Sequence, residues 1–283
     1  LEQVTLEQVK QQKVRQQIYI FHVSKKRTIF HAGTIFQGYF FNNIFNNIKH
    51  IMTRTIQPIQ RTRKRQWSEG VYLLGRYDWF GTGCWLLTNG NEGAIVEMPP
   101  YSPQHQESPA NKAYHVCKKA KINVRYVLCT HNHQDHFSSR TAREMEQAFP
   151  DAEIHLQRGF ELMPHGLRKV YYFDHDSLLH LAGEPLHLVH APKHSWTDTM
   201  VIFKGVIISG DWELNTLQSA HDDKPRYRVP NEVKLASIER MQRFQHDQNY
   251  RIHKLFSVHA NDRRENIDFN WLMEDTKVDR NLW

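Results

Sequence analysis

Cysteine is scarce: Cys84, Cys117 and Cys129 are the only three in 283 residues, an odd number without paired spacing. That excludes a disulfide framework and a thiolate zinc site of the usual spacing. It fits a reducing compartment, so we expect a cytoplasmic protein whose cysteines serve as small core residues. Long apolar runs are missing too. The stretch IFHAGTIFQGYFFNNIFNNIKHIM is broken by His31, Gln37 and two Asn pairs, whereas a bilayer span needs about 20 mostly apolar residues. It also lacks the small-residue cleavage site of a secretory signal. No stable membrane insertion is expected. From about residue 66 onward no repeat or low-complexity segment appears.

The net charge of +7 suggests nucleic acid until the chain is divided. Residues 1–65 carry 12 Lys and Arg against 2 acids, and the remainder carries 25 against 28. The basic excess therefore belongs to the N-terminal segment, and the rest has no phosphate-tracking charge. By this measure the expected partner is a small molecule and not nucleic acid. Residues 1–51 read as a basic segment that is poorly structured or not part of the native chain, with Met52 as the start. Residues 52–283 read as one large domain.

From about residue 66 the pattern becomes regular. EGVYLLGRY, GCWLLT and GAIVEM are β-rich runs separated by Gly and Asn turns, which predicts a meander. SPANKAYHVCKKAKI predicts a helix capped by Ser108 with Pro109 at its first position. NVRYVLCT predicts a buried strand, and TAREMEQAF a helix in which Thr141 and Glu144 have capping-box spacing. EIHLQ, KVYYF, PLHLVH, TMVIF, VIIS and KLFSVHA predict further strands. NEVKLASIERMQRFQ predicts a helix with Val233, Leu235, Ile238, Met241 and Phe244 among its apolar positions. A last helix is expected after Asn261. The class is α+β: two packed β-sheets flanked by helices.

Against this background THNHQDH, residues 130–136, stands out. By chance, H-x-H-x-D-H should occur in on the order of one chain of this composition in a few hundred. It follows a buried strand, and loops at strand ends are where sites are built. Imidazole and carboxylate suit zinc and similar ions. Downstream, HAPKHSWTDTMVIFKGVIISGDWEL contains two β-runs joined at Lys204-Gly205. A two-residue turn there sets paired positions to sum near 409, which puts Asp211 opposite Asp198 and one loop from His194. Asp211 follows a buried run, where an unpaired charge is costly unless a cation compensates it. His259 ends another strand.

In this order, HNHQDH, the histidine of HAPKH, the aspartate of SGDW and the histidine of SVHA resemble a metallo-β-lactamase-fold hydrolase over about residues 66–262. The ligand set is glyoxalase-II-like. The resemblance implies a four-layer αβ/βα sandwich of two mixed sheets flanked by helices, with a dinuclear site along one edge. His131, His133 and His194 would hold one divalent ion and Asp135, His136 and His259 the other, with Asp211 bridging. Zinc is the first expectation, with iron or manganese also suited. Glu97 stands where the superfamily often has Asp, and implies a supporting role. Lys193 replaces a usual Gly and puts a cation near the site, as support or as a substrate contact.

Such a ligand set implies hydrolysis. Two cations about 3.5 Å apart can share a water and lower its pKa towards 7, giving a bridging hydroxide. Asp135 would orient that nucleophile, so no Ser or Cys nucleophile is needed. β-Lactamases of this fold generally have Cys or Ser at the bridging position. The resemblance with Asp211 is to branches that cleave thioesters, phosphodiesters or lactones. Only 57 residues separate His136 from His194, leaving little room for the arm or inserted domain of the nucleases. A small ester, thioester or lactone is the preferred substrate. A nuclease or phosphodiesterase is the alternative, and a non-enzymatic metal-binding scaffold a further one.

Overall fold

Short β-rich runs broken by Gly and Asn turns fold here into two sheets. The computed structural model describes residues 66–282, apart from Pro164, Arg226 and residues 260–262. Residues 1–65, and with them the expectations for the N-terminal segment, lie outside the described residues. In the first sheet, β2 (Val71–Tyr77), β3 (Thr82–Asn89) and β4 (Glu92–Val96) form the expected antiparallel meander, and β1 (Gln66–Ser68) pairs antiparallel with β2. β5 (Asn123–Leu128), β6 (Glu153–Gln157) and β7 (Val170–Phe173) then add in parallel. Parallel neighbours need a crossover. α1 (Pro109–Ala120) carries the chain from β4 to β5, and α2 (Ser139–Ala148) from β5 to β6.

The second sheet contains β8 (Asp176–Leu181), β9 (Glu184–His190), β10 (Thr199–Phe203), β11 (Val206–Ile208), β12 (Lys254–Phe256) and β13 (Arg263–Glu265). Its order is β13-β12-β11-β10-β9-β8. β11 and β12 are parallel, and every other pair is antiparallel. α3 (Asn231–Asp247) makes the parallel crossover, and α4 (Phe269–Thr276) follows β13.

Alternation along the strands sends neighbouring side chains to opposite faces, and both faces of both sheets are buried. Trp85, Leu87 and Leu128 meet Val201, Phe203 and Phe256 between the sheets. Leu86, Ile95 and Val127 face Ala113 and Cys117 of α1 and Met145 of α2. Ile202 and Ile207 face Ile238 and Met241 of α3 and Leu272 of α4. The layers are thus helix, sheet, sheet, helix. All three cysteines are free and buried, as expected of core residues. Among the described residues, no helix is long and apolar enough to cross a membrane.

Several local expectations hold. Ser108 Oγ accepts from the Asn111 amide at 3.0 Å with Pro109 opening α1. The Lys204-Gly205 hairpin pairs Val201 with Ile208 and Phe203 with Val206, the expected register. Others change. The capping box of Thr141 and Glu144 does not form. α2 begins earlier, its cap is Ser138, and the buried Thr141 hydroxyl donates instead to the Pro99 carbonyl at 2.7 Å. On α3, Val233 and Leu235 are only partly buried, while Lys234 is wholly buried because Asp222 receives its ammonium. The strands β1, β8 and β13 were not foreseen: two are three-residue edge strands, and DSLLHL of β8 is short and half polar.

Candidate metal centre

Strand direction gathers the site. β4 and β5 are parallel, so Glu97 and the loop His131–His136 leave the same edge of the first sheet. β9 and β10 are antiparallel, so the loop bearing His194 lies at one end of that pair. β11 returns against β10 and brings Asp211 to this end, and β12, parallel to β11, brings His259 there. The Thr199 amide donates to the Thr130 carbonyl at 2.8 Å, and the Gly83 amide to the Val258 carbonyl at 2.7 Å. These bonds hold the two edges together. Gly210 has φ +61, and a Cβ on it would lie 2.9 Å from Thr130 Oγ1, so glycine is required immediately before Asp211.

Two groups of side chains that could hold metal ions result: His131, His133 and His194, and Asp135, His136, Asp211 and His259. Within each, the potential ligand atoms lie within 4.8 Å of one another. His133 Nδ1 stands 3.1 Å from His131 Nε2 and 3.2 Å from His194 Nε2. Asp211 Oδ2 lies 3.1 Å from both His136 Nε2 and His259 Nε2, 3.8 Å from His194 Nε2 and 3.9 Å from His131 Nε2. Asp135 Oδ2 is 3.4 Å from His136 Nε2 and 3.6 Å from His259 Nε2. The structure thus brings together all seven residues expected as ligands.

The remote ring nitrogens set the tautomers. His131 Nδ1 is 3.2 Å from Thr130 Oγ1, His194 Nδ1 is 2.8 Å from Glu213 Oε1, and His259 Nδ1 is 3.2 Å from the Phe80 carbonyl. His136 Nδ1 faces Glu97 Oε2 at 3.6 Å. A proton on each remote nitrogen leaves the inward lone pair free for a cation, the usual outer support of a metal-binding histidine. Both His136 nitrogens and Asp211 Oδ1 are buried without a hydrogen-bond partner. Orphaned buried polar atoms are costly, and a cation would relieve them. The donor set therefore fits divalent metal ions.

The electrostatics point the same way. Burial, then the neighbouring imidazolium charge, pushes His131 well below the ordinary histidine value and His133 down to about 4. Burial also opposes charge on His136, yet Asp211, Asp135 and Glu97 outweigh it and raise its pKa. His194 and His259 are likewise raised against burial, by Glu213 and Asp211 respectively. Asp211 is itself held far below the carboxylate range: burial is overcome by His136 and His259. Four imidazoles around one carboxylate oxygen form a charge arrangement with room for added positive charge only if protons leave.

Glu97 lies behind the ligands. Its Oε1 accepts from the Thr130 amide at 3.1 Å and from the Thr130 hydroxyl at 2.5 Å, and Cys129 Sγ donates to Oε2 at 3.1 Å. Its φ of +81 is a conformation that costs a non-glycine residue about 1–3 kcal/mol, so the surrounding bonds hold it there. Lys193 is wholly buried, with Nζ donating to Glu213 Oε2 at 3.1 Å and to the Gln218 carbonyl at 3.0 Å. Its ammonium therefore rests on the same Glu213 carboxylate that takes His194 Nδ1. Sequence reasoning missed Glu213, two positions after Asp211, and Asp198. The latter accepts from the amides of Lys193, His194 and Ser195 at 2.9, 2.7 and 2.9 Å and so shapes the His194 loop. It also missed His221, whose ring packs 4.8 Å from that of His133 and 4.7 Å from that of His194. The HSWTD spacing was a signal for Asp198; nothing in the sequence marked His221.

No family model matches the sequence, and no curated protein matches it either. Solved structures do. A metallo-beta-lactamase family protein from Thermus thermophilus superposes with a TM-score of 0.52 at 15% identity, over 75% of this chain and 79% of that one. The metallo-beta-lactamase MIM-1 from Novosphingobium pentaromativorans gives 0.52 at 13% identity, over 72% and 83%. The chain has the metallo-β-lactamase fold. The seven residues expected as ligands stand at the edge of the two sheets, where the resemblance implied them.

Proposed function

We propose that the protein is a hydrolase that holds two divalent metal ions and cleaves a small ester, thioester or lactone. One observation carries this reading: Asp211 Oδ2 lies within 3.9 Å of four histidine nitrogens drawn from both ligand groups. A carboxylate in that position can bridge two cations and offset their repulsion. Bound ions would supply Lewis acidity towards a carbonyl oxygen and towards an attacking water. His131, His133 and His194 would hold one ion, and Asp135, His136 and His259 the other. The donors suit zinc first, with iron or manganese also possible by softness.

Asp135 is the residue expected to orient the attacking water. Its carboxylate is partly exposed, and its pKa is lowered, with His136 overcoming the effect of burial, so it is ionised at neutral pH. An open cleft of about 430 Å³ lies beside the ligands, lined by His194, Asp211, Ser257, His259 and Arg264 among others. That volume suits a small molecule. Between His136 and His194 the described residues form α2, β6, a 3-10 turn, β7, β8 and β9, without an inserted arm. This favours the acyl substrate over a nucleic acid.

The test has two parts. Metal content of the purified protein should approach two equivalents. The metal-loaded protein should then be offered para-nitrophenyl butyrate, a butyryl thioester, γ-butyrolactone, a chromogenic β-lactam and bis-para-nitrophenyl phosphate. Turnover is expected with at least one of the first three and weak or absent with the others. Robust phosphodiester cleavage with inert carbonyl substrates would move the protein to the nuclease reading.

A further inference from the structure

Between Asp211 and α3 the chain runs a long way without regular structure, and part of this loop is held by two buried lysines. Lys193 Nζ donates to the Gln218 carbonyl, and Lys234 Nζ to both oxygens of Asp222 at 2.5 and 2.6 Å. Neither lysine side chain is exposed. Glu213 Oε1 accepts from the Ser219 hydroxyl at 3.2 Å and the Ala220 amide at 2.8 Å, and Asp222 Oδ2 from the Ser219 amide at 2.8 Å. Buried lysines are rare because desolvating an ammonium is costly. Here both anchor the same short stretch, and the side chain presented between the anchors is His221.

His221 lies against the first ligand trio. Its ring centroid is 4.8 Å from His133 and 4.7 Å from His194, within the 4.7–5.3 Å range found among the trio's own rings. The group of mutually close ligand atoms nevertheless comprises His131, His133 and His194 and leaves His221 outside. Lys224 Nζ stands 3.3 Å from His221 Nδ1. An ammonium can only donate, so Nδ1 accepts and the ring hydrogen sits on Nε2. The loop thus puts an imidazole with its hydrogen on Nε2 beside the residues that would hold the first ion. The half-exposed Tyr227 has its ring centroid 6.0 Å from the same ring.

We propose that His221 is a substrate-contacting residue that donates a hydrogen bond to the scissile carbonyl oxygen as negative charge builds on it. This rests on the hydrolase reading above and deepens it. A pre-placed donor at a developing oxyanion acts on the transition state more than on the bound substrate. No proton changes owner in this step, and no bond to His221 forms or breaks.

The experiment compares metal-loaded wild type with His221→Phe and His221→Gln. Phe keeps an aromatic ring in the loop and removes the donor; Gln restores a donor. Metal stoichiometry should be the same in all three. In His221→Phe, kcat on the fastest acyl substrate of the panel should fall about a hundredfold, the scale of one oxyanion donor, while KM changes little. His221→Gln should recover part of that loss. Calorimetric binding of phenylphosphonate, a tetrahedral anion, should weaken strongly in His221→Phe and less in His221→Gln. A His221→Phe protein with full kcat and full phenylphosphonate affinity overturns the proposal while leaving the hydrolase reading intact. Loss of a metal equivalent in His221→Phe also overturns it, by making the residue a ligand. If the metal-loaded wild type cleaves no acyl substrate, the hydrolase reading fails and takes this proposal with it.

Discussion

Glu213→Leu is the substitution with the most to say about how the site is held. The Glu213 carboxylate takes four donors: Lys193 Nζ at 3.1 Å, His194 Nδ1 at 2.8 Å, the Ser219 hydroxyl and the Ala220 amide. Burial works against its charge, yet His194 and Lys193 pull its pKa down to about 2. Leucine fills similar space and leaves Lys193 buried without a counter-charge. Breaking such a pair from one side costs about 3–5 kcal/mol. Lys193 keeps the Gln218 carbonyl, and burial already lowers its pKa, so it can shed its proton. The low end, about 3 kcal/mol, is therefore expected for the metal-free protein in urea unfolding. His194 loses its orienting partner as well, which should weaken zinc binding roughly 10–100-fold in a chelator competition. Adding Lys193→Met to Glu213→Leu should restore most of the stability and none of the zinc affinity, because it removes the orphaned cation but not the need to orient His194. Stability within about 0.5 kcal/mol of wild type in the single variant, or a double variant no more stable than the single, would refute this account of the pair.

Three further outcomes are expected. Asp211→Ala should keep the fold, lower metal content from two equivalents towards one, and reduce turnover at least about a hundredfold; His180→Ala, an exposed residue on β8, should change neither. If Asp211→Ala keeps both metals and normal turnover, the bridging reading is wrong. Loading metal into the metal-free protein should release protons from His136, His194 and His259, whose pKa values are raised. Release in a weakly buffered titration should be larger at pH 7 than at pH 9, and affinity should weaken as pH falls; no release at pH 7 would contradict it. In the metal-free protein, these raised histidines stabilise the fold fully below their unfolded value of about 6.5 and cease to do so as pH rises through their folded values. Ser138→Ala should cost about 0.5–1 kcal/mol, since its hydroxyl caps α2 through a long 3.5 Å bond from the Thr141 amide; an unchanged midpoint would return the cap to Thr141.

What the sequence determined by itself was what depends on neighbours along the chain. Unbroken apolar runs in GCWLLT and TMVIF force strands with two buried faces. Ser108 before Pro109 starts a helix wherever it is placed. The two-residue turn at Lys204-Gly205 fixes the register that carries Asp211 back towards His194, and HNHQDH puts four of the seven ligand residues in one loop. The direction of Lys193 could not be read in this way: its ammonium goes to Glu213 because the two loops meet behind His194. Lys234 interrupts the apolar stripe of α3, and only Asp222, twelve positions earlier, makes its burial tolerable. Thr141 has the spacing of a cap, but a chain arriving from Pro99 claims its hydroxyl and leaves the cap to Ser138. His221 is one of nineteen histidines until the loop folds against His133 and His194. Spacing along the chain encodes turns, caps and periodicity, because those energies are local. Which partner a buried charge finds is decided by the segments that pack beside it, and those are brought together only by the tertiary fold.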